Sequence, residues 1–294
     1  MIMVQQMAKL ACSGAKSISI VCDDTDVFIL LVHFYAELGL TCNLTTEATG
    51  SDRTLIDIPA TVKTHADIVP NLLAMHCLSC CDTVGQMYGI GKGTALKSLR
   101  AGLSLSSLGC TDACLPDVIA EATEFIANCF SSKKKDMSEV RVEMWAKMMS
   151  RKRVTAAPQL KSLPPTSEAF AQNVRRAHFQ AAIWRSAVSS SPPDMDATKY
   201  GWNKDLNSKT LVPVTVPTDV ALAPSYILEM IRCGCSSEEP CRNAQCGCDR
   251  AHLPCPFFCA CRAGPLLCNN PFNKRVVEND ADDGDDDEDD TTDQ

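Results

Sequence analysis

Two hydrophobic rhythms run along the first 150 residues, one alternating and one helical. "SISIVC", Ser17–Cys22, is a short β-rich run that ends in acids, and it predicts a strand. "DVFILLVHFYAELG" follows. Its apolar stripe predicts a helix that starts at Asp24 or Thr25 and closes at Gly39. "RTLIDIPA" predicts a strand or edge segment stopped by Pro59, and "ADIVPNLLAMHCLSC" a helix around Pro70. A further helix is predicted to begin near Lys92, and two amphipathic stretches cover Leu115–Phe130 and Ser138–Ser150. Residues 151–165, "RKRVTAAPQLKSLPP", have the composition of a linker. Beyond them, "TSEAFAQNVRRAHFQAAIWRSAV" carries Phe170, Val174, Ala177 and Ile183 at helical spacing, which predicts one long helix. "SSSPPDMDATKYGWNKDLNSK" reads as loop, and "TLVPVTVPTDVALAP" as extended chain broken by prolines. The pattern is mixed α/β, with no internal repeat in the first 230 residues.

A chain of 294 residues has room for one medium domain and a smaller module, and 45% hydrophobic residues support a core. No run of eighteen apolar residues exists, so no transmembrane helix is expected. "MIMVQQMAKLACSGAK" has neither a basic region nor an unbroken apolar stretch, so no secretory leader is expected either. An intracellular chain would keep its 18 cysteines reduced, structural or metal-bound. The net charge of −8 hides an asymmetry: eleven acids and no base lie between Glu278 and Gln294, and without them the balance is +3. Residues 271–294 therefore read as a disordered acidic tail.

Half of the cysteines crowd into Cys233–Cys268. Their spacing is Cys233-x-Cys235-x5-Cys241-x4-Cys246-x-Cys248-x6-Cys255-x3-Cys259-x-Cys261-x6-Cys268. Cysteines one residue apart do not readily pair with each other, but they place two thiolates around one metal or two adjacent metals. Nine thiolates match three zinc ions, each with four sulfurs, when three thiolates bridge and six are terminal. Such a segment has almost no apolar core, so metal binding would supply its folding free energy, on the order of 10 kcal/mol. The block resembles the Tesmin-type CXC domain, whose middle spacing "CGCDRAHLPCPFFCAC" reproduces and whose terminal Cys-Asn appears as "CNN". The resemblance implies zinc and, for the family, DNA contact through a tyrosine before the second Cys-x-Cys pair. Gln245 stands at that position here, and the bases are few: Arg232, Arg242, Arg250 and Arg262.

A second constellation surrounds "CCDTVGQMYGIGKGTALK", Cys80–Lys97. A phosphate-binding P-loop would need glycine at position 86 and Ser or Thr after Lys92, but Gln86 and Gly93 stand there. Instead, Asp24-Thr25-Asp26 at a strand end and Asp82 ahead of Gly89-Ile90-Gly91 resemble the flap-endonuclease/XPG branch of PIN-like nucleases. The resemblance implies that Asp24, Asp26 and Asp82 are Mg²⁺ ligands, since Mg²⁺ prefers oxygen donors and two such ions can activate water on a phosphodiester. It also implies that Gly89, Gly91, Lys92, Gly93, Thr94 and Lys97 form a turn against a DNA phosphate. A closer likeness exists to uncharacterised animal proteins that look mobile-element-derived. They combine a DTDV-type segment, a His-x-x-x-Gly-Cys-Asp-Thr segment, an LPPT…RRAH helix and a C-terminal Cys-rich block, and the counterparts here are "DDTDVFILLVHFY", "HCLSCCDTVGQMYGIGKGTALK", "LPPTSEAFAQNVRRAHFQAAIW" and "CGC…CNN". The chain departs from the nuclease pattern in three ways. No first strand with its Asp is found, "MIMVQQMAKLACSGAK" has no carboxylate, and Cys80 replaces a glycine. Without the first strand, an exposed sheet edge is expected.

Other residues invite blander readings. Cys77 and Cys81 are helix-spaced and read as small buried hydrophobes, with a metal or redox site together with Cys80 as the alternative. His33, His65, His76, His178 and His252 are scattered, and His76 reads as packed beside the acidic loop. Arg175, Arg176 and Arg185 accompany Trp184 on the long helix, either as a solvated face or as a nucleic-acid stripe. The expected architecture is a truncated PIN-like α/β domain (1–150), a helical connector and loop (151–224), a zinc-stabilised Cys-rich module (225–270) and the acidic tail. The expected function is that of a DNA-associated, zinc-binding nuclear protein with a degenerate nuclease-like domain. A Mg²⁺-dependent structure-specific nuclease and a zinc-based protein-interaction module are the alternatives.

Overall fold

The computed structural model describes residues 2–50, 53–149, 162–191, 193–205, 208–215, 233–242, 246–250, 255, 259–261 and 268–271. Residues 151–161 of the expected linker (151–165) and 272–294 of the expected acidic tail lie outside the described residues, as does most of the proline-broken segment. The chain divides into two units: Met1–Glu143 with Pro164–Val220, and Met144–Leu163 with Ala221–Gln294.

In the first unit, helix α1 (Ile2–Cys12) leads into strand β1 (Ser17–Val21), where alternation buries Ile18 and leaves Ser17, Ser19 and Val21 exposed. The strand ends where Asp24 takes an extended conformation and its Oδ1 accepts the Asp26 N–H at 2.8 Å. That N-cap starts helix α2 (Thr25–Glu37), which buries every side chain from Ile29 to Tyr35. Gly39, at φ +57°, closes the segment in the left-handed region. The chain returns as β2 (Asn43–Glu47), parallel to β1 with Ser17 opposite Asn43, and β3 (Leu55–Asp57) pairs antiparallel to β2. The sheet order is β1-β2-β3, and among the described residues β1 has no strand on its other side.

Pro59 does not simply stop a strand. It occupies the first turn of helix α3 (Ile58–Thr64), where its missing N–H costs nothing, and Asp57 caps that helix by accepting the Ala60 N–H at 2.8 Å. Pro70 plays the same part in α4 (Val69–Ser79), a helix with buried residues all around, which packs on α2. Helices α5 (Lys92–Arg100), α6 (Leu115–Cys129) and α7 (Met137–Met149) follow close to their predicted positions.

Helix α8 (Ser167–Arg185) departs from the connector expectation. It begins at Thr166, whose hydroxyl accepts the Ala169 N–H, and it buries Phe170, Val174, Ala177, Ala181 and Trp184 against α4 and α6. It is a core element of the first unit. Gly109 allows its close approach, since a Cβ there would fall 2.7 Å from the Ala181 Cβ. The segment after α8 holds an antiparallel ribbon, in which β5 (Leu211–Pro213) falls in the stretch expected to be extended and β4 (Trp202–Lys204) in the stretch expected as loop. Local propensity does not predict it. α8 organises it: Tyr200 stacks on His178 and Phe179, and the Arg176 guanidinium lies 5.9 Å from the Trp202 ring centre. Among the described residues, no helix is long and apolar enough to cross a membrane.

Candidate metal centre

The second unit has a core of sulfur. Cys233, Cys241, Cys246, Cys248, Cys255, Cys259, Cys261 and Cys268 are each at most 5% exposed, and Cys235 packs against them. All nine predicted cysteines thus meet in one cluster. The backbone draws distant segments together through the Ala260 N–H on the Cys233 carbonyl at 3.1 Å and the Asn269 N–H on the Pro240 carbonyl at 3.0 Å. A single helical turn, Gly247–Arg250, carries Cys248, and the Asp249 N–H donates to Cys246 Sγ at 3.4 Å. Cys241 turns the chain with φ +67°.

None of the eighteen cysteines is in a disulfide. The sulfurs stand at metal-sharing distances instead. Cys233 Sγ lies 3.5 Å from Cys241, 3.8 Å from Cys255 and 3.8 Å from Cys261. Cys255 lies 3.6 Å from Cys241 and 3.9 Å from Cys246, and Cys248 lies 3.6 Å from Cys259. A tetrahedron with Zn–S bonds of about 2.3 Å has S–S edges of about 3.8 Å, whereas a disulfide would need about 2.05 Å. Three four-sulfur groups have all their sulfurs within 4.8 Å of one another: 233/246/248/255, 233/241/255/261 and 233/235/241/246. Twelve ligand places are filled by seven cysteines, with Cys233 in all three groups and Cys241, Cys246 and Cys255 in two each. Ions held in more than one of these groups at once would share thiolates.

Electrostatics supports the same need for cations. Burial raises the Cys241, Cys255 and Cys259 thiols far above the ordinary thiol range, with neighbouring sulfurs adding to the rise, and it pushes Cys248 to about 11. Burial also acts upward on Cys233, but hydrogen bonds at its sulfur, from the Cys235 backbone N–H and with the Cys241, Cys261 and Cys246 thiols, bring it down to about 6. One thiolate is favoured in the cluster and many are not, unless positive charge enters. Metal uptake therefore has to release protons.

The carboxylates of the first unit are arranged differently. Asp24 spends Oδ1 on the N-cap of α2. Asp26 Oδ1 accepts from His76 Nε2 at 2.6 Å, and His76 is itself 2% exposed against Trp184. Asp82 is exposed, in the turn closed by the Cys81–Val84 bridge. Among the described residues, only cysteines form groups of three or more Cys, His, Asp or Glu with ligand atoms within 4.8 Å of one another, so Asp24, Asp26 and Asp82 do not. His76 does pack beside the acidic loop, as its context in the sequence indicated. Asp23, which was not singled out, accepts the Thr49 N–H at 2.7 Å and the Thr49 hydroxyl.

The glycine turn keeps its backbone open and hides its cation. Gly89 is left-handed at φ +74°, Gly91 is the N-cap of α5 with no side-chain cap, Gly93 and Lys97 are exposed, and the Thr94 N–H is taken by the Gly91 carbonyl. Lys92 was expected to face phosphate, and here the structure corrects that expectation. Its ammonium turns inward and donates to the His76 carbonyl (2.9 Å), the Ser79 hydroxyl (3.0 Å) and the Cys80 carbonyl (2.5 Å). Those acceptors lie at the C-terminal end of α4, where the helix dipole favours positive charge. Arg176 is likewise committed, to Trp202 and the Gly201 carbonyl, so it does not lie on a solvated face. No family model, curated protein or solved structure matches the chain.

Proposed function

We propose that the chain is a zinc-binding, DNA-associated protein in which residues 233–270 fold around a three-zinc, nine-thiolate centre beside a nuclease-like domain that does not cut. One observation carries the zinc reading: three four-sulfur groups, each with its sulfurs within 4.8 Å of one another, that overlap on Cys233. The donor set fits zinc, since sulfur is its preferred structural ligand and no open coordination place is needed. Bound zinc supplies the positive charge that lets the crowded thiols ionise. The residues then hold the fold together across a segment with little apolar surface of its own.

Mg²⁺ chemistry finds less support. Asp24 and Asp26 already accept hydrogen bonds within the domain, and among the described residues no group of three carboxylates converges. We derive no cleavage step from them. DNA association draws on the resemblance to the CXC and flap-endonuclease families, on the +3 balance outside the acidic tail, and on α5, whose N-terminus has no side-chain cap and whose last turn carries the exposed Lys97. A nuclear location and a mobile-element origin belong to the same reading. Native mass spectrometry of the full chain purified with zinc is expected to show three ions per chain, and a chain that carries none, or that forms disulfides in place of binding metal, overturns the proposal. Duplex and branched DNA are expected to bind with an affinity that falls steeply as salt rises, without Mg²⁺-dependent cleavage. Binding that ignores salt removes the DNA part.

A further inference from the structure

The cluster contains one side-chain hydrogen-bond donor to sulfur that the metal-ligand pattern does not account for. Asn270 is fully buried, at 0% exposure, two residues beyond Cys268. Its Nδ2 donates to Cys255 Sγ at 3.1 Å. The neighbouring Asn269 N–H is tied to the Pro240 carbonyl at 3.0 Å, which holds this end of the chain against the other side of the cluster. Backbone N–H groups also reach sulfur: Cys259 from Cys233 at 3.2 Å, Cys246 from Asp249 at 3.4 Å, and Cys233 from Cys235. The bond to Cys255 comes from a side chain, so it can be removed by substitution.

We propose that Asn270 is a positioning residue for a shared thiolate: it directs its amide N–H at Cys255 and restrains that sulfur's reactivity while two metal ions share it. The inference rests on the zinc reading above. Cys255 belongs to two of the four-sulfur groups and stands within 3.9 Å of Cys233, Cys241 and Cys246. A thiolate has three lone pairs. Two metal bonds would leave one, towards which the Asn270 N–H would donate. A hydrogen bond to an anionic sulfur withdraws charge from it, so the sulfur is less nucleophilic and its metal bonds are less easily exchanged. An amide suits this place because it donates without adding charge, whereas a carboxylate would repel the sulfur and a hydrocarbon would leave its lone pair bare.

The test uses the zinc-loaded full chain and the variants Asn270→Asp, which keeps the shape and loses the donor, and Asn270→Leu, which replaces it with apolar volume. Zinc content is measured first. Then the rate of zinc transfer to a chromophoric chelator is followed, and alkylation by N-ethylmaleimide is mapped residue by residue with mass spectrometry. Both variants are expected to release zinc roughly tenfold faster than the parent chain, with Cys255 alkylated ahead of the other eight cluster cysteines. In cobalt-substituted protein, the sulfur-to-metal charge-transfer band is expected to move to lower energy, because the sulfur is more electron-rich. Parent-like release and an unchanged order of alkylation overturn the inference, as does a rise spread evenly over all nine cysteines, which would mark a general loosening. A parent chain that takes up no zinc fails at the first measurement instead, and that result is charged to the zinc reading.

Discussion

Replacing Lys92 by methionine separates a structural cation from a DNA-binding one. The ammonium is held by three acceptors at the end of α4. Burial lowers the Lys92 pKa, but the three acceptors are in place to receive the charged form. Loss of the ammonium does not orphan all three. The His76 carbonyl still accepts the Cys80 N–H at 3.3 Å, and the Ser79 hydroxyl still reaches that carbonyl at 3.4 Å. The Cys80 carbonyl loses its charged donor outright. A hydrogen bond to a charged group contributes about 1.5–3 kcal/mol, and methionine keeps most of the aliphatic packing, so a net loss of about 2–3 kcal/mol is expected. For a unit of about 200 residues, each kcal/mol moves the midpoint by about 2–4 °C, giving a fall of roughly 4–12 °C. The assay is thermal unfolding of the zinc-loaded chain followed by circular dichroism, run beside DNA titrations at several salt concentrations. Lys97→Ala is the counterpart. Lys97 is exposed, so its loss is expected to leave the melt in place and to flatten the salt dependence. If Lys92→Met melts with the parent chain but weakens DNA binding, the inward orientation of the ammonium is wrong and the phosphate role returns.

Three further outcomes follow from the same geometry. Cys233→Ser is expected to cut the bound zinc count more than Cys235→Ser, because Cys233 serves all three sulfur groups and the less buried Cys235 only one, and elemental analysis of the two purified variants decides this. Burial lowers the pKa of His33, His76 and His178, so the folded first unit prefers them neutral. Their stabilising effect is complete above the ordinary histidine value of about 6.5 and is lost as pH falls through the lower folded values; melts at pH 7.5 and 5.5 should show the drop, and His178→Gln should shrink it. Gly109→Ala places a Cβ 2.7 Å from the Ala181 Cβ at a φ of +85°, so a loss of about 2 kcal/mol or more is expected in chemical denaturation, and an unchanged midpoint would show that α8 does not pack so closely.

Local patterns were readable wherever the cause is local. The alternation of Ser17–Val21, the cap at Asp24, the glycine after α2, the start of α5 at Lys92 and the apolar stripe of α8 depend on residues within a few positions of each other, and the structure places these elements close to where the patterns indicate. The cysteine spacing is of the same kind, because short intervals between thiols already confine them to a small volume. The direction of a long side chain was not readable in this way. Lys92 sits in a glycine-rich turn that suits a phosphate equally well, and only the end of α4, twelve to sixteen residues back, decides that it turns inward.

The amino-acid order by itself thus determined the longer helices, strand β1 and the gathering of nine sulfurs, since these follow from short-range periodicity and from the reach of a short chain. Tertiary packing decided which groups remained available for chemistry. Asp26 and His76, fifty positions apart, are paired by the packing of α2 on α4. Asn270 finds Cys255 because one end of the sulfur core folds over the other. α8 became part of the core because Gly109 left room for it. Each of these depends on two surfaces meeting at a distance of a few ångströms. Periodicity along a strand or helix shows which face is apolar, but it does not show which polar group on another element that face will meet.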